Sequence, residues 1–449
     1  METGKKKGFV LLLMFLLAII LFDFFSKSIL FHDTAEYITV AKELSGVHNL
    51  KVYTTHSLVY PYLISLFLMI DKSFFVLKLV NSIWLFLIGL LLYKYTKSKK
   101  ALLIWMLSPL SWMMSIQVSP ILPAAFFILL GYIIFIKAEE KKKNVYLLLS
   151  GFFFGLSAAI YQPSFLLIIF FIIIFFYNKS FIQFLLFCLS AGIGLLPMML
   201  LDWYYFGLPF YSLIRYFGIN ALVLAGQSFK ISTVKSYLWY LPFIIFPFLF
   251  LIYKTDFKKY RRELIFIIIS SLFFIIRGEA VKYFLTFSPM ILLLIYEKFN
   301  KKFLIANTVV SLIIIIIVTN SFFGYNTNAK MIEDLEKIKS EFNKEYIVTA
   351  PFEAYNFAAL SWTDKPEFIW YWEYENSLND TKTFSKYIIS SKPRIKSDKI
   401  LVLQFSLEND DIRKFDDDII LIGANPANIP EGFELIRKYN LINAYKLAK

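Results

Sequence analysis

The stretch FHDTAEYITVAKEL, residues 31 to 44, places acids, a histidine and a tyrosine directly after the first apolar run of the chain. Asp33 and Glu36 are three residues apart, so a helix would carry both carboxyl groups on one face. A carboxylate at the boundary of lipid and water can act as general base for an acceptor that attacks a lipid-borne donor. Aspartate is also a favoured N-cap residue, and on chemistry alone capping is the simpler explanation of Asp33.

The same stretch predicts an amphipathic helix that lies along a membrane surface, with Asp33 at its N-cap. Its apolar face would consist of residues at helical spacing, namely Tyr37, Val40, Ala41 and Leu44. A helix of this kind would hold the carboxyl groups at the surface, where a lipid-borne donor could meet an external acceptor.

The composition indicates a polytopic α-helical membrane protein. Of the 449 residues, 58% are hydrophobic and 19% aromatic, and the mean hydropathy is +0.62, which excludes an ordinary soluble domain. The net charge of +14 comes from basic clusters between apolar runs, so it indicates membrane orientation rather than nucleic-acid binding. The single cysteine, Cys188, excludes an intrachain disulfide and a cysteine metal cluster.

Apolar runs long enough to cross the bilayer predict about eleven transmembrane helices. The first follows METGKKKG without a small-residue cleavage site and is interpreted as an uncleaved span. The predicted spans are residues 8–25, 74–93, 101–117, 121–136, 145–160, 164–177, 181–201, 236–253, 264–276, 280–296 and 303–323.

The Lys/Arg clusters set the predicted orientation, because they all fall on the cytoplasmic side only if the run at 58–70 does not cross. We therefore expect an interfacial or re-entrant helix at 58–70, on the outer face. The N-terminus would be cytoplasmic, and the loop at 26–73, the loop at 202–235 and the turn around Arg277 would be external.

A change of composition after residue 325 predicts a second domain. Residues 1–325 would form the transmembrane domain, and residues 326–449 a small soluble extracytoplasmic α/β domain. In the latter, MIEDLEKIKSEF predicts an amphipathic helix. The β-rich runs YIVTAP, KILVLQF and DIILIG predict strands.

Five stretches, in this order and with this topology, resemble the polyprenyl-phosphate-sugar-dependent membrane glycosyltransferases of the GT-C superfamily. That group includes protein mannosyltransferases and the enzymes that put aminoarabinose on lipid A. The stretches are HDTAEYITVAKEL, YTTHSLVYPYLISLFLMI, FFVLKLVNSIWLFLIGLLLYKYTKSKKALLIWMLSPL, DWYYFGLPFYS and RGEAVKYFLTFSP.

In this family a loop aspartate precedes a tyrosine and an alanine, which matches Asp33, Tyr37 and Ala41. A His-Pro-Pro-Leu-like segment then leads into a short outer helix; here His56 is present but the double proline is missing. An arginine is usual near the outer start of the second span, and Lys78 takes that place. The later stretches match through an aromatic-Gly-x-Pro loop and a basic-aromatic motif, at Phe206, Gly207, Pro209, Lys282, Tyr283 and Pro289.

The resemblance implies an inverting glycosyltransferase in which Asp33, or Glu36 as an alternative, deprotonates the acceptor. The donor phosphate would be held by Lys78, Arg277, Lys282 and Tyr283. Substrate contacts would come from Tyr37, His56, Gln117, Trp203 and Tyr205. Each group also suits a plainer role: the cations could snorkel to the interface, the aromatic residues could form an interfacial belt, and the histidines could make local polar contacts.

The resemblance also implies the partners: a polyprenyl-phosphate-sugar donor, an extracytoplasmic acceptor and the lipid bilayer of the cell membrane. Many GT-C enzymes carry a second acid in the next external turn, where it helps to bind metal. Here that turn reads SIQVSPILP and offers Gln117 and Ser119 instead, so no metal site is expected, although a divalent metal stays possible. Two other functions remain: a carrier or flippase for a lipid-linked saccharide, and a noncatalytic assembly protein with a GT-C-like fold.

Overall fold

The structure is a computed structural model, and it is mostly helical. It describes residues 2–25, 32–46, 56–115, 117–177, 179–226, 259–276, 285–298, 300–324, 330, 333–334, 337–338, 340–341, 346–348, 369–371, 401–403, 420–423, 433–440 and 443–447. The chain separates into two compact units. The first unit comprises Met1–Phe25, Thr55–Tyr60 and Leu77–Asn320, and the second comprises Ser26–Thr54, Pro61–Val76 and Ser321–Lys449.

The helices form where leucine, isoleucine and phenylalanine fill the chain, and they end at prolines, glycines or basic connections. In chain order they are α1 (Glu2–Phe25), α2 (His32–Leu44), α3 (Val59–Leu68), α4 (Phe74–Thr96), α5 (Lys99–Met106), α6 (Pro109–Ser115), α7 (Ile121–Lys141), α8 (Asn144–Ile160), α9 (Ser164–Phe175), α10 (Phe181–Gly194), α11 (Leu196–Phe206), α12 (Tyr211–Gly226), α13 (Arg261–Ile276), α14 (Ser288–Ile295) and α15 (Lys301–Gly324).

Several helices have the length and composition of membrane spans. In the described part of the chain, three are long and apolar enough: α1 from Gly8, α4 and α7. The pair α10 and α11 would add a fourth, bent by 41° at the break between them. These helices indicate a membrane protein, and the number of about eleven spans stays a prediction.

The apolar run at 58–70 folds as α3, which has only 10 residues. At 1.5 Å per residue it is about 15 Å long, half of what the hydrocarbon core requires. Its length therefore agrees with a helix that does not cross, while its position on the outer face stays a prediction.

Helix α8 packs against α7 and α10, and glycines allow the close approach to α10. A Cβ at Gly151 would collide with the backbone of Phe187, and a Cβ at Gly155 with that of Ala191. Small residues four positions apart let helix backbones approach closely in lipid, where packing drives association. The two glycines thus fix the spacing of α8 and α10.

Gly155→Ala should destabilise the first unit by about 1–3 kcal/mol, because the added methyl group meets the Ala191 carbonyl and the helices must separate. Gly192→Ala on α10 is the matched control, since a Cβ there has no neighbour within 4 Å among the described residues. The midpoint of thermal unfolding in detergent should fall for Gly155→Ala only. Equal midpoints would mean that α8 and α10 relax without cost.

An ion network joins helices α7 and α13 to the connection between α9 and α10 at one end of the first unit. Arg262 at the start of α13 donates two parallel hydrogen bonds of 2.9 Å to the carboxylate of Glu139 near the end of α7. Lys179, between α9 and α10, lies 2.8 Å from the same carboxylate. Glu139 and Arg262 belong to the stretches 137–143 and 254–262, two of the Lys/Arg clusters that the sequence predicts to be cytoplasmic, and we call this the basic end.

The second unit contains a six-stranded sheet of the described strands β1 (Tyr346–Val348), β2 (Ile369–Tyr371), β3 (Leu401–Leu403), β4 (Ile420–Gly423), β5 (Phe433–Lys438) and β6 (Asn443–Leu447). The strand order is β2-β3-β1-β4-β6-β5. The first four strands in this order are parallel, and β6 and β5 continue the sheet as an antiparallel pair. Each of the three predicted β-rich runs contains a strand; the extracytoplasmic location stays a prediction.

Helical residues between 330 and 341 coincide with the predicted amphipathic helix. Asp334 is buried there and accepts hydrogen bonds from the backbone N–H and side-chain amide of Asn440, at 3.2 and 2.9 Å. Glu341 accepts one from the hydroxyl of Tyr439 at 2.7 Å. These bonds fasten the helical segment to the turn after β5. The boundary predicted between 325 and 326 stays a prediction.

Candidate functional site

Asp23 lies in the last turn of α1 and is buried among hydroxyl groups of two other helices. Its Oδ1 accepts a hydrogen bond from Ser115 Oγ at the end of α6, at 2.8 Å, and its Oδ2 accepts one from Ser82 Oγ of α4. A carboxylate can stay buried only when hydrogen bonds or a cation compensate its lost hydration. Such a residue within a membrane-spanning helix marks a functional site by default.

Lys78 supplies the cation. It lies one turn before Ser82 on α4 and is only 3% exposed. Its Nζ donates to the backbone carbonyl of Asp23 at 3.2 Å, and the Asp23 carboxylate attracts its charge. The ammonium group therefore turns into the protein and does not snorkel to an interface. We call these two residues the Asp23–Lys78 pair.

A separate set of polar contacts lies on the same part of α4, at Asn81, three residues after Lys78. The hydroxyl of Tyr60 donates to Asn81 Oδ1 at 3.1 Å, and Asn81 Nδ2 donates to the backbone carbonyl of Gln117. Gln117 itself is 4% exposed. The structure thus places Gln117, which was predicted from sequence as a substrate contact, at the same end of α4 as Lys78.

A second polar group surrounds Asp202 in the last full turn of α11. Its Oδ2 accepts hydrogen bonds from the backbone N–H and hydroxyl of Ser212, at 3.0 and 2.8 Å. Gln162, just after α8, donates from Nε2 to the carbonyl of Ser212 at 2.9 Å. These three buried residues, the Asp202 cluster, join the ends of α8 and α11 to the start of α12.

His56 lies beside this cluster. Its ring centroid is 5.9 Å from that of Tyr216, which follows Ser212 by one turn of α12. The next residue, Ser57, donates its hydroxyl hydrogen to the carbonyl of Ala159 near the end of α8. The segment from His56 to Tyr60 therefore connects the Asp202 cluster to the Asn81 contacts.

Both polar groups lie at the end of the first unit opposite the basic end. Helix α7 begins after Gln117 and reaches Glu139, and α8 returns from there to Gln162. Acids, amides and hydroxyl groups thus gather at one end, while the Lys/Arg clusters gather at the other. We call the former the polar end.

The predicted catalytic residues lie on α2, in the second unit. Helix α2 begins at His32, so Asp33 is its second residue and not the N-cap; its side chain lies outside the described part. Glu36 and Tyr37 are 7% and 2% exposed. Every residue from 34 to 42 is buried, and the position of this helix along a membrane surface stays a prediction.

Burial also affects Lys42 in the last turn of α2. Its side chain is 0% exposed, and its Nζ lies 5.3 Å from the centre of the Phe74 ring. Loss of hydration lowers the pKa of Lys42 well below its usual value, because burial penalises the charged form.

The remaining predicted site residues fall into two groups. Trp203 and Tyr205 are 63% and 45% exposed on α11, which fits either a substrate contact or an interfacial belt. Arg277, Lys282 and Tyr283 lie outside the described residues. Within the described part, no three His, Cys, Asp or Glu side chains form a group that could hold a metal ion, and the expectation on metal stays a prediction.

Asp23 and Asp202 were not predicted from the sequence as site residues. A signal existed for both, because each is an acid within or at the end of an apolar run, where ionisable residues are costly and usually functional. Asp202 is the first residue of the stretch DWYYFGLPFYS, but the resemblance of this stretch to the family loop was based on Phe206, Gly207 and Pro209.

Comparison with known proteins identifies the fold. No protein-family model matches the sequence, and no curated protein matches it. The structure is similar to the crystal structure of ArnT from Cupriavidus metallidurans bound to undecaprenyl phosphate, a GT-C aminoarabinose transferase. The similarity covers 97% of each chain with a TM-score of 0.67, at 8% sequence identity. The chain therefore has the same overall fold as ArnT, in agreement with the fold that the sequence resemblance predicted.

Proposed function

We propose that this protein is an integral-membrane glycosyltransferase that moves a sugar from a polyprenyl-phosphate-linked donor to an acceptor on the outer face of the cytoplasmic membrane. The main support for this proposal is Lys78, a cation that is buried in a membrane helix at the polar end. Its place in a fold shared with a protein bound to undecaprenyl phosphate supports a lipid-phosphate ligand.

In the proposed reaction, the carboxylate of Asp33 takes the proton from the acceptor hydroxyl, with Glu36 as the alternative base. The acceptor oxygen attacks the anomeric carbon of the donor, and the bond from that carbon to the phosphate oxygen breaks. The polyprenyl phosphate leaves with the electron pair, and the configuration at the anomeric carbon inverts. Without covalent enzyme intermediates, one base is sufficient.

Cations at the polar end would stabilise the charge that develops on the leaving phosphate. Lys78 is our first candidate there, and the sequence resemblance adds Arg277 and Lys282, which lie outside the described residues. An ammonium group has three N–H donors, and one of those of Lys78 is directed at the Asp23 carbonyl. Asp23 would thus hold Lys78 in place beside the leaving phosphate.

A carrier for the same lipid is the main rival. Transport of a charged lipid headgroup needs polar or charged groups along a path between the two faces. The buried charged residues of the described first unit lie near its two ends, namely Asp23, Lys78, Asp202, Arg215 and Glu263. Tyr132 and Phe135, on the stretch of α7 that leads to Glu139, are buried among the rings of Phe175 and Phe171. This arrangement favours the transferase.

The test is sugar transfer in native membranes supplied with labelled polyprenyl-phosphate sugars. We expect the label to leave the lipid and appear on an acceptor only when the protein is present. In proteoliposomes, a carrier would move intact labelled lipid between leaflets without cleavage. If no donor gives either sugar transfer or movement of lipid between leaflets, the remaining function is that of a noncatalytic assembly protein.

A further inference from the structure

The carboxylate of Asp202 is buried, yet only one of its oxygens is used. Oδ2 accepts both hydrogen bonds from Ser212, whereas no described residue donates to Oδ1. The side chain is 0% exposed, so bulk water does not reach it. Native proteins rarely leave a buried acceptor without a donor, and each exception calls for a specific explanation.

The hydrogen bonds to the start of α12 explain the role of one of the two carboxylate oxygens, Oδ2. Asp202 caps the helix by accepting from the N–H of Ser212, its second residue. The oxygen of an asparagine side chain would make the same cap without burying a charge. The second oxygen and the charge therefore indicate a partner other than α12.

The neighbourhood of Asp202 has the chemistry of polyol recognition. Gln162 brings a side-chain amide to Ser212, and the guanidinium of Arg215 lies 3.3 Å from the hydroxyl of Tyr211. One turn along α12, Tyr216 packs against His56. A carboxylate accepts hydrogen bonds from hydroxyl groups, and amides and phenols both accept and donate them. Aromatic rings can cover the apolar faces of a sugar between its hydroxyl groups.

The connection between α11 and α12 also has a strained backbone, which is common next to binding sites. Phe210 has a φ of 64°, a left-handed conformation that is unfavourable for a bulky residue. This connection lies between Asp202 and Ser212 in sequence, so the strained residue adjoins the cluster.

We propose that Asp202 recognises a saccharide, with Oδ1 accepting a hydrogen bond from a sugar hydroxyl group. The inference rests on the proposed function, which supplies a saccharide at the polar end. The sugar belongs either to the lipid-linked donor or to a glycan acceptor, and both present the same hydroxyl groups. Asp202 is then a specificity-determining residue, distinct from the base on α2 and the cations at the phosphate.

The experiment compares wild type, Asp202→Asn and Glu139→Gln in nanodiscs. The asparagine variant keeps the cap but presents an N–H donor where Oδ1 accepts. Affinity is measured for a polyprenyl-phosphate sugar and for the same polyprenyl phosphate without sugar, and the KM of transfer is measured for the acceptor. Glu139→Gln makes the same acid-to-amide change at the basic end and should leave all three values unaltered.

If the sugar is that of the donor, Asp202→Asn should weaken binding of the sugar-bearing lipid about tenfold to a hundredfold and leave the bare lipid unaffected. If it is that of the acceptor, the acceptor KM should rise by the same factor instead. A variant that equals the wild type in all three values overturns the inference, while transfer by the wild type would still uphold the proposed function.

Failure of the proposed function gives a different pattern. A wild type that never transfers sugar, yet binds the sugar-bearing lipid more tightly in a way that depends on Asp202, supports recognition in a carrier. Should Asp202→Asn unfold, Asp202→Glu keeps the charge and displaces the oxygen by one methylene group. Its unchanged preference for sugar-bearing lipid would overturn the inference equally.

Discussion

Transfer of labelled sugar by Asp33→Asn should fall at least about a hundredfold below that of the wild type, as expected for loss of a general base. Asparagine has the size of aspartate and can still accept hydrogen bonds from the free N–H groups in the first turn of α2. The helix should therefore form as before. The measured loss should lie in kcat, because the donor phosphate is bound elsewhere and its KM stays the same.

Glu36→Gln is the matched variant for this test, since it makes the same chemical change three residues later on α2. Both variants should unfold at the midpoint of the wild type if their acids act in chemistry alone. Loss of transfer in Glu36→Gln only would assign the base to Glu36. Full transfer by both would remove α2 from the chemistry and leave Asp33 with a role at the helix terminus.

The described helices of the first unit could largely be predicted from hydropathy. The predicted spans 121–136, 145–160 and 164–177 begin within one residue of α7, α8 and α9. These segments are uniform in Leu, Ile and Phe, and turn residues or basic clusters bound them, so local sequence suffices. The run at 58–70 was excluded from the predicted spans by the positions of the Lys/Arg clusters, and the short length of α3 agrees with that prediction.

Prolines explain where hydropathy failed to mark a break. The apolar run at 181–201 contains two helices that meet at Leu195, because Pro197 at the start of α11 cannot continue the ladder of α10. Pro109 likewise opens α6, so the run at 101–117 divides into α5 and α6. Hydropathy averaged over a window assigns these residues correctly to apolar segments, but it takes no account of the backbone N–H that proline lacks.

The site was less predictable, because its contacts join residues that are far apart in sequence. Asp23 accepts from Ser82 and Ser115, which follow it by 59 and 92 residues, and no local spacing encodes such a meeting. Lys78 could be predicted as a site residue because it is a cation within a span, but its partner Asp23 could not be predicted. The Asp202 cluster depends on Gln162, 50 residues from Ser212, for the same reason.

Lys78→Met should destabilise the first unit by about 3–5 kcal/mol, because it leaves the Asp23 carboxylate buried without its cation. Adding Asp23→Asn should recover most of that loss, since the double variant carries no buried charge and an amide oxygen can still accept from Ser115. Unfolding midpoints in detergent for wild type, both single variants and the double variant give the coupling between the two residues.

Sugar transfer measured in the same four proteins shows whether Lys78 only balances the charge of Asp23 or also binds the donor phosphate. If Lys78 only balances Asp23, the double variant should regain sugar transfer together with stability, because the fold is the sole thing lost in Lys78→Met. If Lys78 also binds the donor phosphate, stability should return while the donor KM stays raised, because methionine offers no charge to the leaving group. A stable double variant with wild-type transfer would therefore remove Lys78 from the phosphate site and leave that role to Arg277 and Lys282.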